Sequence, residues 1–223
     1  MQQRTAGAGA VLGALHGPAA PAAAEHGRSM NTTSLSLLER LKHATPDALE
    51  WRRLRDIYSP MIRHWLSRLP NLHDEVDDLT QEVLAVVFRE LPAFERHRDG
   101  SFRAWLRQIT VNRMHAFCKT RRKQPLALGG PETDQLLSQL ANPTSDLARQ
   151  WDQDHDKHVF QKLVAIVEGD FEPGTWQAFT RFALEGRPAA QVAAELGLTE
   201  SAVLQAKYRI LKRLREEAGG LLD

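Results

Sequence analysis

After residue 34, apolar side chains recur at three- and four-residue intervals along most of this chain, and no convincing period-two alternation appears. That pattern predicts an all-α protein. Thr45-Pro46-Asp47 reads as a helix start: a hydroxyl cap, a proline in the first turn, then an acid near the positive end. The helix that follows places Trp51, Leu54 and Tyr58 on one side. Pro60 should kink it or begin a new segment carrying Ile62, Trp65, Leu66 and Leu69. Pro70-Asn71 marks a turn. Val76, Leu79, Val83, Val86 and Val87 then outline a helix that should stop at or before Leu91, because Pro92 disfavours helix in the residue preceding it. A polar loop from Ala93 to Gly100 leads to Ser101, the expected cap of a long helix. Its apolar face is Phe102, Leu106 and Ile109, with Ala116 and Phe117 further on.

Gln124 to Gln150 breaks this pattern. It holds three prolines and a Gly pair, and only Asp134 to Leu140 has a helical character. It reads as a flexible linker between two small helical domains, residues 34–123 and 151–223. Residues 1–33 are rich in Ala, Gly and Pro and predict a disordered tail. Their one apolar piece, AVLGAL, is short for a signal peptide and follows only a thin basic region. Helical periodicity begins just after Met30, which makes Met30 an alternative or true start.

The sharpest local signal lies between Gly186 and Glu217. A short helix carries Val192, Ala193 and Leu196, and Gly197 supplies a left-handed turn that a side chain would resist. Thr199 can cap a second helix that buries Val203, Ile210 and Leu214, with Ala206 permitting close approach. This is the spacing of a helix-turn-helix. From Leu204 to Arg215 there are five Lys or Arg and no acid. At about 100° per residue, Ser201, Gln205, Tyr208 and Lys212 lie opposite the buried stripe, with Arg209 beside them. A plain helical hairpin is the bland alternative; the turn glycine, the cap and the basic second helix favour DNA.

Composition limits what else the chain can be. Its 223 residues are 42% hydrophobic and 26% charged, enough for folded cores. Cys118 is the one cysteine, which excludes an internal disulfide framework or a cysteine-rich zinc site and fits the cytoplasm. No apolar run reaches the roughly 18 residues a membrane-spanning helix needs. The net charge is only +1, yet the charges are segregated. HDEVDDLTQEV, His73 to Val83, carries Asp74, Glu75, Asp77, Asp78 and Glu82 with no Lys or Arg, whereas Ser101 to Lys123 carries seven Lys and Arg with no acid. The carboxylates are open to three readings: acid–base catalysis, metal binding or a docking surface. Asp152, Asp154 and Asp156 mimic the start of a calcium loop, but Lys157 stands where its glycine is needed and Leu163 where its glutamate is needed. No nucleophile motif or phosphate-binding glycine loop appears, so neither catalysis, a cofactor nor a metal is expected.

DLTQEVLAVVF and FRAWLRQITVNRMHAFCKTRRK together resemble region 2 of bacterial RNA polymerase sigma factors, and the C-terminal block resembles region 4. The likeness covers roughly residues 35–123 and 151–217. With only a linker between the two regions, the chain looks like the extracytoplasmic-function (ECF) group of the sigma-70 family. The resemblance implies a factor that binds core RNA polymerase, directs it to promoters and helps to open the DNA. Asp78, Gln81 and Glu82 match the family's D-x-x-Q-E helix, which docks on the β′ clamp coiled coil; region 4 would meet the β flap. The minus-ten element would be met by the loop residues Phe94, Arg96, His97 and Arg98 and by Asn112, with Arg113, Lys119, Arg121 and Arg122 on phosphates. Trp105 is weighed as core before stacking surface. Minus-thirty-five contacts map to Leu204, Gln205, Tyr208 and Arg209, with Ser201 and Lys212 beside them. Many members place basic residues where this chain has Leu204 and Ala206. An anti-sigma protein is a further partner that the resemblance admits. The competing reading is a helix-turn-helix regulator whose N-terminal half is a sensor or dimerisation domain.

Overall fold

A computed structural model of the protein describes residues 11–13, 36–45, 48–69, 72–95, 101–121 and 131–222. These residues are predominantly helical, and no β-strand occurs among them. They fall into two compact units: residues 37–159, and residues 160–223 together with the chain up to Ser36. The expected tail, the Met30 start, Pro46-Asp47 and the Pro70-Asn71 turn lie outside the described residues, apart from residues 11–13 of the tail.

The larger unit is a helical bundle. Its helices are α1 (Leu37–His43), α2 (Leu49–Leu66), α3 (Val76–Glu90), α4 (Ser101–Arg121), α5 (Pro131–Ala141) and the first half of α6 (Asp146–Glu168). In chain order, α2 packs on α3, α3 on α4 and α4 on α5. The apolar stripes expected for α2 and α3 are buried, apart from Trp51, which is half-buried. α3 ends at Glu90 and passes into a 3₁₀ turn, Leu91–Ala93, against which α1 packs.

Four local expectations are corrected. Pro60 neither breaks α2 nor starts a segment: the helix is continuous through it. Pro60 and Asp56, whose carbonyl loses its partner, are both on the exposed side, where water can satisfy the oxygen. Ala48, not Thr45, is the N-cap of α2, and no side chain caps it. Ser101 is the first residue of α4, and its buried hydroxyl makes no hydrogen bond, so it does not act as a cap. The buried face of α4 continues through Val111, Met114 and Cys118 rather than Ala116, which is exposed, and Phe117, which is half-buried.

From Pro131 on, the segment read as a linker is largely helical. Pro131 opens α5, where its missing N–H costs nothing, and Pro143 sits in the turn before α6. Ser145 caps α6 by accepting from the Ala148 N–H at 3.0 Å. Leu137 and Leu140 are buried and, with Trp65, Leu69 and Met114, line a small apolar cavity of about 20 Å³. The expected domain boundary between Gln150 and Trp151 falls inside α6, which passes from one unit to the other after Val159.

The first half of α6 is anchored to the bundle by polar groups that its sequence does not advertise. Asp152 takes a hydrogen bond from Arg107 at 2.5 Å, and Asp156 takes one from Arg103 at 3.0 Å. Arg107 is only 5% exposed. Between these pairs lies His155, fully buried. Burial holds its pKa below the usual histidine value; the Asp156 carboxylate pulls the other way and does not win. The neutral ring then donates from Nδ1 to Asp156 Oδ1 at 2.9 Å and accepts at Nε2 from the Tyr58 hydroxyl at 3.2 Å. Burial keeps that hydroxyl protonated by raising its pKa well above the ordinary tyrosine value. His158 donates from Nε2 to the Ile57 carbonyl at 2.6 Å.

The smaller unit contains the end of α6, then α7 (Pro173–Phe179), which continues as a π-helical turn, Thr180–Leu184. α8 (Ala189–Leu196) and α9 (Glu200–Ala218) complete it. Ala178, Val192, Ala193, Val203 and Ala206 form its core, flanked by Phe182, Ala189 and Leu196.

Two predictions follow from the anchored half of α6. Asp152→Ala leaves the Arg107 guanidinium buried without its carboxylate. Because Asp152 is itself partly exposed, we expect a loss near the low end of the buried-pair range, about 3 kcal/mol, in denaturant unfolding. His155 has a lower pKa folded than unfolded, so its contribution is complete above pH 6.5 and fades as pH falls through the folded value. The melting temperature of the wild type should therefore drop on acidification from neutral pH more steeply than that of His155→Gln; equal slopes would contradict this account.

Candidate protein-binding and nucleic-acid interfaces

Helical periodicity puts Asp78, Gln81 and Glu82 at i, i+3 and i+4 of α3, and all three are exposed. The buried stripe of Val76, Leu79, Val83 and Val87 lies on the opposite side and turns these polar groups outward. The neighbouring acids are less free. Asp77 pairs with Arg63 of α2 at 2.9 Å, and Glu75 is half-buried. Asp78 and Glu82 form no ion pair among the described residues.

Sequence reasoning missed a groove beside this stripe. Gln81 opens onto a space of about 350 Å³ between α2 and α3, lined also by Trp51, Leu84 and Phe88, with Arg52 and Arg55 on the α2 side. Trp51 and Phe88 stack at 4.5 Å, and Phe88 remains 40% exposed. The signal was present in the run VLAVVF, Val83 to Phe88: five of its six residues are larger than alanine and apolar, more than one helix face can bury.

α4 presents a second surface. Its exposed side carries Gln108, Asn112, His115 and Lys119, with Arg113 half-buried at the edge. The Gln108 amide donates to Asn112 Oδ1 at 2.8 Å, which orients the Asn112 carboxamide along the open face. Arg103 and Arg107, on the side facing α6, are committed to Asp156 and Asp152. Phe94 is not a free loop side chain. It is buried, edge-on to Phe102 at 5.6 Å and 4.9 Å from the half-buried Trp105. Trp105 also stacks on Phe102 at 5.5 Å, so it belongs to this aromatic wall while keeping one partly open side. Arg96, His97, Arg98 and Arg122 lie outside the described residues, as does the side chain of Arg121.

The third surface is the helix-turn-helix. Gly197 takes the left-handed conformation, with φ 65° and ψ 30°, and ends α8. The Leu198 N–H bonds back to the Ala193 carbonyl at 2.9 Å. Thr199 Oγ1 accepts from the Ala202 N–H at 3.1 Å and starts α9. α9 packs on α7 and α8 through Val203 and Ala206, and Ile210 is buried one turn further on. Ser201, Leu204, Gln205, Tyr208, Arg209 and Lys212 are consequently exposed together. Lys207 lies half-buried, its Nζ 5.2 Å from the centre of the Phe182 ring.

Among the described residues, no group of three or more His, Cys, Asp or Glu is placed to hold a metal ion, and no helix is long and apolar enough to cross a membrane. In the calcium-like stretch, Asp152 and Asp156 are engaged with arginines, His155 with Tyr58, and His158 with the α2 backbone.

Residues 54–124 match the family Sigma-70 region 2, a span that contains both the exposed stripe of α3 and the open face of α4. The chain is 27% identical over 141 residues to the probable RNA polymerase sigma factor RfaY of Xanthomonas campestris pv. campestris. That alignment covers 63% of this chain but only 33% of the relative. It is 28% identical over 149 residues to the RNA polymerase sigma factor CnrH of Cupriavidus metallidurans, covering 67% of this chain and 74% of the relative. The chain thus carries a match to Sigma-70 region 2 in its N-terminal unit and is similar, over about two thirds of its length, to RNA polymerase sigma factors.

Proposed function

We propose that this protein is a sigma factor of the ECF group, which binds core RNA polymerase, brings it to specific promoters and helps to melt them. The observation that carries the reading is the exposed Asp78, Gln81 and Glu82 stripe, within a region 2 match, in a chain that also holds a separate helix-turn-helix. Carboxylates and an amide spaced one helical turn apart suit an Arg-rich helical partner, the β′ clamp coiled coil, through charge-assisted hydrogen bonds. The β flap is the partner proposed for the C-terminal unit.

Promoter melting has a physical basis in α4. Lys119 and Arg113 can hold the phosphate track, together with Arg121 and Arg122 at the end of the basic segment. A base that leaves the stack needs hydrogen bonds and a flat surface. Asn112 offers the first, and its carboxamide is already turned outward by Gln108. The open side of Trp105 offers the second. The loop residues Arg96, His97 and Arg98 would complete the pocket, with Phe94 supporting it from beneath rather than touching the base. Such a protein needs no catalytic centre, since polymerase supplies the chemistry. An anti-sigma protein covering one of these surfaces would keep the factor idle.

Asp78→Arg should weaken capture of the protein by core polymerase by about tenfold or more, the scale of one charge-assisted hydrogen bond turned to repulsion, and Gln81→Ala should weaken it less. Fluorescence anisotropy of labelled protein against core polymerase measures this. Both residues are exposed, so the circular dichroism spectrum should not change; unaltered capture of both variants would refute the docking assignment. Asn112→Ala should reduce promoter opening, read as permanganate reactivity of unpaired thymines, by about tenfold while closed-complex binding stays near wild type. Equal reactivity in the two proteins would rule out a base contact at Asn112.

A further inference from the structure

The recognition helix is unusual in what it turns outward. Five large apolar side chains are markedly exposed among the described residues: Leu49, Phe88, Leu198, Leu204 and Tyr208. Three of these five fall in the turn and first turns of α9, at Leu198, Leu204 and Tyr208. Leu204 and Tyr208 are 51% and 65% exposed and lie one helical turn apart, so they form a continuous apolar strip. Gln205 is exposed beside them.

The basic residues of α9 are placed elsewhere. None precedes Lys207, and Lys207 is half-buried over Phe182. Arg213 is held by Asp170 at 2.8 Å and by Glu217 at 2.9 Å. Arg209 and Lys212 are exposed, but they sit in the later turns, with the Arg209 guanidinium 5.9 Å from the centre of the Phe171 ring. A helix-turn-helix meets base edges mainly through the N-terminal residues of its second helix. Here those residues are Glu200, Ser201, Leu204 and Gln205. Guanine shows two acceptors, N7 and O6, in the major groove, and an arginine or lysine is the side chain that pairs with both. No such cation stands in these turns, and the exposed Glu200 carboxylate would repel a guanine edge.

We propose that α9 reads its promoter element chiefly at A·T pairs: Leu204, with Tyr208 behind it, packs on a thymine C5-methyl group, and Gln205 bonds the N6 and N7 of an adenine. Arg209 and Lys212 then hold phosphates and set the register without reading sequence. The proposal rests on the promoter-binding reading above and adds which base chemistry the helix selects. The apolar strip makes this a positive preference as well as an absence of guanine contacts, because the methyl group is the one apolar feature in the major groove.

The test uses the full-length protein bound to core polymerase. A pool of duplexes randomised upstream of a fixed minus-ten segment is selected for binding and sequenced. In the selected element each thymine is then replaced in turn by deoxyuridine, which removes only the methyl group. One replacement should lower wild-type affinity about fourfold, the value of one buried methyl. Leu204→Ala should bind the thymine duplex about as weakly as the wild type binds the deoxyuridine one, and should not respond to the replacement. Gln205→Ala should lose its preference for one adenine and keep the methyl effect. A selected element made of G·C pairs, or a wild type indifferent to every replacement, overturns the proposal while leaving promoter binding intact. Failure to select any upstream sequence would instead sink the reading of the helix-turn-helix as a promoter reader, and this inference with it.

Discussion

The Arg107–Asp152 pair, with Arg107 almost entirely buried, is the constraint on which the N-terminal unit depends. A guanidinium cannot be left without a partner at that depth, so α4 and the first half of α6 must stay together. The Arg103–Asp156 pair and the Tyr58–His155–Asp156 chain extend the same seam and join α2 to it. Once α6 covers that side of α4, α3 and α5 take the remaining apolar face. Only the side bearing Gln108, Asn112, His115 and Lys119 is left open. The open face of α4 is thus defined by what its other faces must bury.

The same seam divides the arginines of α4 into two groups with different work. Arg103 and Arg107 are structural, satisfied by carboxylates within the unit. Arg113 and Lys119 keep their charge near solvent. Counting Lys and Arg along Ser101 to Lys123 therefore overstates the charge available to a partner. The acidic helix shows the converse: Asp77 is drawn to Arg63, so the exposed stripe without local ion pairs narrows to Asp78, Gln81 and Glu82. In α9, Arg213 is likewise absorbed by Asp170 and Glu217. On each surface, local ion pairs select which charges a partner can meet.

Much was legible along the chain, for physical reasons that act locally. Helical periodicity is set by neighbours three and four residues apart, so α2, α3 and α9 and their buried faces follow from sequence. Gly197 and Thr199 act within one turn of themselves, and both behave as their residue types require. The exposed positions on α3 and α9 follow from the buried ones by geometry, and family likeness assigned them to polymerase and DNA.

Tertiary structure decided what depends on distant partners. Prolines and glycines made residues 124–150 look like a linker, but proline also opens helices, and the leucines of α5 find Trp65 and Met114 far along the chain. Asp152 and Asp156 mimicked the start of a calcium loop, but their partners are Arg107 and Arg103, brought from α4. Phe94, placed in a DNA loop by its position in sequence, is buried because Phe102 and Trp105 offer it a wall. Sequence determined the helices, their faces and the turn between α8 and α9, since those rest on contacts within a few residues. Which charges are spent inside and which remain for partners was decided by long-range packing, because a charge's fate depends on what burial brings against it.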